Sequence, residues 1–188
     1  LDVEPQKVQA TDADGVHMTV VFHQEVVANE HSVLARNVVM PLRTTDAVSW
    51  KAETGGEALF VDGALSLTVA PEGLEYPLGF FEEEIRGESV AASQLPPYDV
   101  EPWIGKEDQT LAFYIYPVHV VAKPSAALKV LKGVSAAEGT TYRIWSVDPD
   151  SGKIEDIGSA SVDADGVLVG HEDAKLYNLT VIILIPAD

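Results

Sequence analysis

One stretch limits what this chain can fold into more than any other: Arg143-Ile144-Trp145-Ser146-Val147, the turn residues Asp148-Pro149-Asp150-Ser151-Gly152, and the continuation to Val167. Proline fixes φ at one position of a tight turn and the following glycine tolerates positive φ, so residues 148–152 predict a reversal of the chain. Asp163-Ala164-Asp165-Gly166 repeats that chemistry. Between the two turns Ile154, Ile157, Ala160 and Val162 form a broken alternation that suits a half-buried sheet. The stretch therefore predicts a β-meander of three short strands, with Gly166 at a hairpin tip in positive φ.

The rest of the chain shows the same pattern. Val16 to His23 and Ala35 to Met40 are β-rich, with a polar connection between them. Leu65, Leu67 and Val69 alternate cleanly after a second expected hairpin tip at Asp62-Gly63. Residues 70–110 are rich in proline (71, 77, 96, 97 and 102) and carry the acidic run Glu82-Glu83-Glu84, which predicts a long surface loop with one strand inside it. Strand character resumes from Leu111 to Val120, and Pro124 introduces another strand at Ala127 to Val130. The closing run Val181-Ile182-Ile183-Leu184-Ile185 is apolar at every position, as a central strand covered on both faces must be. Trp145 and the alternating Val181, Ile183 and Ile185 are expected in the core. No segment sustains a helical period with caps. Asp12-Ala13-Asp14-Gly15-Val16 recurs as Asp163-Ala164-Asp165-Gly166-Val167, which reads as two uses of one hairpin chemistry.

These readings give an all-β class, an antiparallel β-sandwich with a long Pro-rich loop and little helix. Residues 1–56 are expected as N-terminal strands, an added subdomain or part of the same sandwich, and residues 57–188 as the main domain. With 188 residues and 46% apolar content the chain can bury a substantial core. Cysteine is absent, which excludes disulfides, thiolate metal sites and cysteine nucleophiles. A net charge of −18, from 30 acidic and 12 basic residues, argues against nucleic acid as a partner. The run at 181–185 is too short to cross a bilayer as a helix, so no membrane span is expected. The chain opens at Leu1 rather than Met, as a processed or trimmed fragment does.

Candidate chemistry is sparse. Asp148, Asp150 and Asp156 crowd one turn in a pattern superficially like a calcium loop, which needs about six to eight oxygen ligands. Pro149 stiffens that loop, and Ser159 stands where a bidentate Glu is expected. Acidic hairpin turns in water are the simpler reading, with calcium the one cofactor suggested. The histidines, His17, His23, His31, His119 and His171, show no metal-ligand spacing. No Gly-x-Ser-x-Gly elbow supports a serine hydrolase. Among Trp50, Trp103 and Trp145, only Trp103 has a sequence setting in which an exposed ring near carboxylates would stack on a sugar; anchoring the loop is its simpler role. Asn178-Leu179-Thr180 fits the N-glycosylation pattern inside an apolar strand.

The run Gly63-Ala64-Leu65-Ser66-Leu67-Thr68-Val69-Ala70-Pro71-Glu72-Gly73-Leu74 resembles the opening of ZU5-like domains. Lys123-Pro124, Glu138-Gly139, Arg143-Ile144-Trp145-Ser146 and the Asp-Gly hairpins resemble the later strands and turns of bacterial extracellular relatives. The similarity covers roughly residues 57–170. It implies a β-sandwich module of secreted or cell-surface proteins without catalytic residues. The self-cleaving His-Phe-Ser tripeptide of some relatives is absent from this sequence, so autoproteolysis is not implied.

The expected role is a non-enzymatic structural or adhesive module in a surface assembly, meeting a protein partner or neighbouring copies. Strand-edge pairing by the polar arm at residues 1–10 is one expected means. The alternative is a carbohydrate-binding or calcium-dependent binding domain attached to a secreted hydrolase.

Overall fold

The computed structural model describes residues 6–8, 11–12, 15–16, 20–22, 40–42, 48, 53–76 and 85–188. Four short N-terminal strands come first: β1 (Gln6–Val8), β2 (Thr11–Asp12), β3 (Gly15–Val16) and β4 (Val20–Phe22). The main body comprises β5 (Gly56–Phe60), β6 (Leu65–Val69), β7 (Leu74–Glu75), β8 (Arg86–Val90), β9 (Leu111–Tyr116) and β10 (Val120–Val130). It closes with β11 (Thr141–Val147), β12 (Ile154–Val162), β13 (Leu168–Gly170), β14 (Leu176–Leu179) and β15 (Val181–Pro186). The described residues contain no α-helix, only 3-10 turns at Ala92–Gln94 and Glu107–Gln109. His17, His23, His31, Trp50, Glu82-Glu83-Glu84 and, apart from Met40, the strand expected at 35–40 lie outside the described residues.

The all-β antiparallel class holds. Its form is one eleven-stranded sheet with the path β5-β6-β10-β13-β12-β11-β15-β9-β8, while β7 and β14 pair with β10. The sheet curls until β5 and β8 approach each other at Phe60 and Gly87, so it is a nearly closed barrel rather than two clearly separate sheets. Curling in this way shortens exposed edges that would otherwise offer rows of unpaired N–H and C=O groups.

Strand alternation sorts the apolar residues into two cores. Phe113 and Ile115 of β9, with Ile182 and Leu184 of β15, join Leu65, Leu67, Leu128 and Leu168 in the inner core. Ala112, Tyr114 and Tyr116, with Val181, Ile183 and Ile185, face a second core shared with Val20, Phe22, Leu95, Tyr98 and Trp103. Because β15 separates the two, it must be apolar at every position, as its sequence predicts. Trp145 is only half-buried, packed at the margin of the second core, which corrects its expected place in the interior.

The broken alternation at residues 154–162 has a structural cause. Ile144 pairs with Gly158 and Trp145 with Asp156, leaving Ile157 as the extra residue of a β-bulge. One inserted residue reverses the face of everything beyond it. Ile154 accordingly enters the second core, while Ala160 and Val162 enter the first.

The turns match their residues. Gly152 (φ 68°) closes its turn by donating to the Asp148 carbonyl at 2.8 Å, and Gly63 and Gly166, both at φ 76°, occupy the two expected tips. Asp12 pairs with Gly15, so the earlier Asp-Gly repeat is also a hairpin. Pro124 lies inside β10 rather than ahead of a strand. The register shifts between Val121 and Ala126, around a residue that has no N–H to give. Gln6–Val8 pair with Val20–Phe22 of the same chain, so that part of the N-terminal arm forms a local two-stranded sheet.

Candidate functional site

The segment from residue 91 to residue 110 is the most distinctive surface element, and its sequence explains its form. The chain leaves β8 at Val90 and makes the 3-10 turn Ala92–Gln94, and Pro96 and Pro97 then keep the following residues out of sheet pairing. Leu95 (0% exposed) and Trp103 (1%) sink into the second core, and Tyr98 meets the Trp103 ring edge-on with centroids 6.0 Å apart. The loop expected to run over the surface is thus anchored by its own aromatic residues. Trp103 corrects its candidate ligand role: covered on both faces, it has no ring surface to offer a sugar.

Backbone bonds stiffen the tip. Ile104 donates to the Glu101 carbonyl at 3.2 Å and Lys106 to that of Trp103 at 2.8 Å, with Gly105 at φ 81° reversing the chain between them. Lys106 Nζ reaches the Pro186 carbonyl at 2.9 Å and Asp188 Oδ1 at 2.5 Å, which clamps the loop to the end of β15. That contact holds the Asp188 carboxyl below its ordinary range. The N–H groups of Glu107 and Gly105 do the same for Glu107. With Trp103 buried, its neighbours turn outward: Ile104 is 65% exposed and Val100 47%. Asp99, Glu101, Glu107 and Asp108 surround this apolar pair in sequence.

The acidic turn expected as a metal site is divided among structural tasks. Asp148 Oδ1 accepts from the Asp150 and Ser151 N–H groups at 3.2 and 2.7 Å, an Asx turn. Asp150 faces the His119 ring at 3.5 Å. Asp156, on β12, takes Arg143 Nε and Nη2 on Oδ2 at 2.9 and 2.6 Å, while Oδ1 accepts from Gly158 N–H. Asp148, Asp150 and Asp156 do not converge, and no group of three metal-ligating side chains gathers among the described residues.

A polar cluster that sequence reasoning passed over joins β12 to the turn after β13. Ser159 Oγ donates to Asp173 at 3.0 Å, and that bond is the main cause of a lowered Asp173 pKa. Ser159 Oγ also lies 3.1 Å from His171 Nδ1, and Ser161 Oγ lies 2.7 Å from His171 Nε2, so the imidazole bridges the two serines. The residue types of a hydrolytic triad meet here, but Ser159 stands between acid and imidazole. The adjacent depression of about 400 Å³ is lined by His171, Glu172 and Lys175 and by neither Ser159 nor Ser161. The arrangement works as a cross-strand clasp. Its sequence signal was the pair Ser159-x-Ser161 facing His171-x-Asp173, visible only once the β12–β13 register is known.

No protein-family model, curated protein or solved structure matches this chain.

Proposed function

We propose that this chain is a non-catalytic β module of the ZU5-like kind, displayed outside the cell, that docks a protein partner through its 91–110 loop. The observation that carries this reading is the pairing of an exposed Ile104 and Val100 with an anchored backbone. An apolar tip held rigid by Trp103 and Lys106 loses little conformational freedom on binding, which favours a protein contact. Acidic residues flanking the tip suit an apolar socket rimmed by Lys and Arg, and the net charge of −18 opposes a second copy of the same surface. The placement outside the cell rests on the ZU5-like resemblance of residues 57–170.

Selection of displayed peptides against the whole chain tests the proposal. Peptides combining basic and aromatic residues should emerge, and the double substitution Val100→Ser/Ile104→Ser should weaken them at least about tenfold. Selected peptides that bind the double variant as well as the parent would move the site elsewhere. Turnover of chromogenic esters, glycosides or phosphodiesters by the purified chain would overturn the non-catalytic reading.

A further inference from the structure

Among the described Phe, Tyr and Trp residues Tyr177 alone is exposed, at 47%; the others are buried or half-buried. Its setting is rigid. Leu176 and Leu179 on the same strand are each 1% exposed, and Val120 pairs with Leu179 while Val121 pairs with Asn178. Tyr177 N–H also donates to the Lys175 carbonyl at 2.9 Å, fixing the turn that leads into β14.

Beside the ring lies a depression of about 80 Å³, lined by Asp148, Glu155, Ile157, Lys175 and Asn178 together with Tyr177. These side chains come from the 148–152 turn, β12, β14 and the turn that leads into β14, which the sheet brings together. The side-chain polar groups of Glu155, Lys175, Tyr177 and Asn178 have no hydrogen bond to another protein group among the described residues. Asp148 is held in place by the two N–H groups on its Oδ1, neither of which uses its second oxygen. Nearby Asp156, by contrast, is committed to Arg143.

We propose that Tyr177 and this depression bind a neutral hexopyranose unit. A pyranose ring has an apolar C–H face whose partial positive charge suits the negative face of a phenol ring. Its rim of vicinal hydroxyls both donates and accepts, which suits two carboxylates, an ammonium and an amide placed around a ring. Two carboxylates against one ammonium, on a chain of net charge −18, disfavour uronates, sialosides and sulfated sugars. The depression has room for one substituent, such as a hydroxymethyl group, over the apolar side chain of Ile157. The sugar ring itself lies on Tyr177. Such a shallow site binds with a dissociation constant on the order of 1 mM. It is separate from the 91–110 loop and does not depend on it.

Titrating the isotopically labelled whole chain with neutral gluco-, manno- and galacto-tetrasaccharides, monitored by amide NMR, tests the site. At least one neutral sugar should shift the Tyr177, Asn178 and Glu155 signals and leave Ile104 unmoved. Tyr177→Ala should weaken binding by about tenfold or more, Glu155→Gln by severalfold, and Tyr177→Phe by no more than about threefold, since stacking survives. Ile104→Ser should bind like the parent, separating this site from the docking loop. No shift at these residues with any neutral sugar at about 10 mM would overturn the proposal. Unchanged binding by a Tyr177→Ala variant with a normal melting curve, or binding confined to acidic sugars, would do the same.

Discussion

Gly87 of β8 lies directly against Phe60 of β5: a Cβ added to Gly87 would sit 3.0 Å from Phe60 Cβ and 3.1 Å from its ring. These strands are the two ends of the sheet path, so the near-closure of the barrel runs over a glycine because an aromatic side chain occupies the space a larger residue would need. Gly87→Val should force the strands apart and lower stability by roughly 1–3 kcal/mol, the usual range for overpacking. Chemical denaturation measures this, and a midpoint equal to that of the parent would show that the closure tolerates more separation than the contact implies.

Gly158 is constrained more tightly. It has φ 136°, and a Cβ there would approach Ala174 Cα to 2.6 Å, a backbone atom that cannot swing away. Gly158→Ala therefore combines backbone strain with a clash and should cost roughly 2–4 kcal/mol. The same substitution at Gly166 meets no atom within 4 Å and should show only the smaller cost of positive φ. Equal melting temperatures for the two variants would refute the close-approach account.

Trp103 and Trp145 should respond differently to truncation. Trp103→Ala empties the second core beneath the 91–110 loop and should lose about 3–5 kcal/mol, with faster amide exchange across that loop. Trp145→Ala, removing a half-buried ring, should lose about 1–2 kcal/mol. A larger loss at Trp145 than at Trp103 would contradict the burial pattern.

Asp173 supplies a pH test. Its carboxyl lies below the ordinary range first because Ser159 donates to it, with the His171 ring a lesser contribution. A carboxyl lowered by folding adds stability above its unfolded pKa, and that stability is lost as pH falls through the folded value. Ser159→Ala should move the Asp173 midpoint, measured by NMR, upward toward that of an ordinary aspartate. An unmoved midpoint would remove Ser159 as the cause.

Calcium should leave the fold unchanged, because Asp148, Asp150 and Asp156 serve different structural partners. Melting temperatures in millimolar calcium and in chelator should coincide. A rise with calcium would reveal a site that mass action stabilises.

Local chemistry was legible without coordinates. The Asp-Gly tips, the turn at 148–152, the both-face apolarity of 181–185 and the all-β class come from φ preferences and two-residue periodicity, which act over a few neighbouring residues. Even the bulge left a trace, in the spacing of Ile154, Ile157, Ala160 and Val162. What only the tertiary structure decided was which face each residue shares with distant strands. Trp103 is the aromatic residue whose sequence setting suits an exposed ring, yet it is an anchor, and the exposed ring is that of Tyr177, which the sequence did not single out. The first packs into the second core against Tyr98, while the second stands outward on β14 between the buried Leu176 and Leu179. The Asp148, Asp150 and Asp156 cluster dissolved for the same reason: closeness in sequence says little about convergence in a sheet, where side chains alternate faces and each strand's partner is chosen by contacts far along the chain.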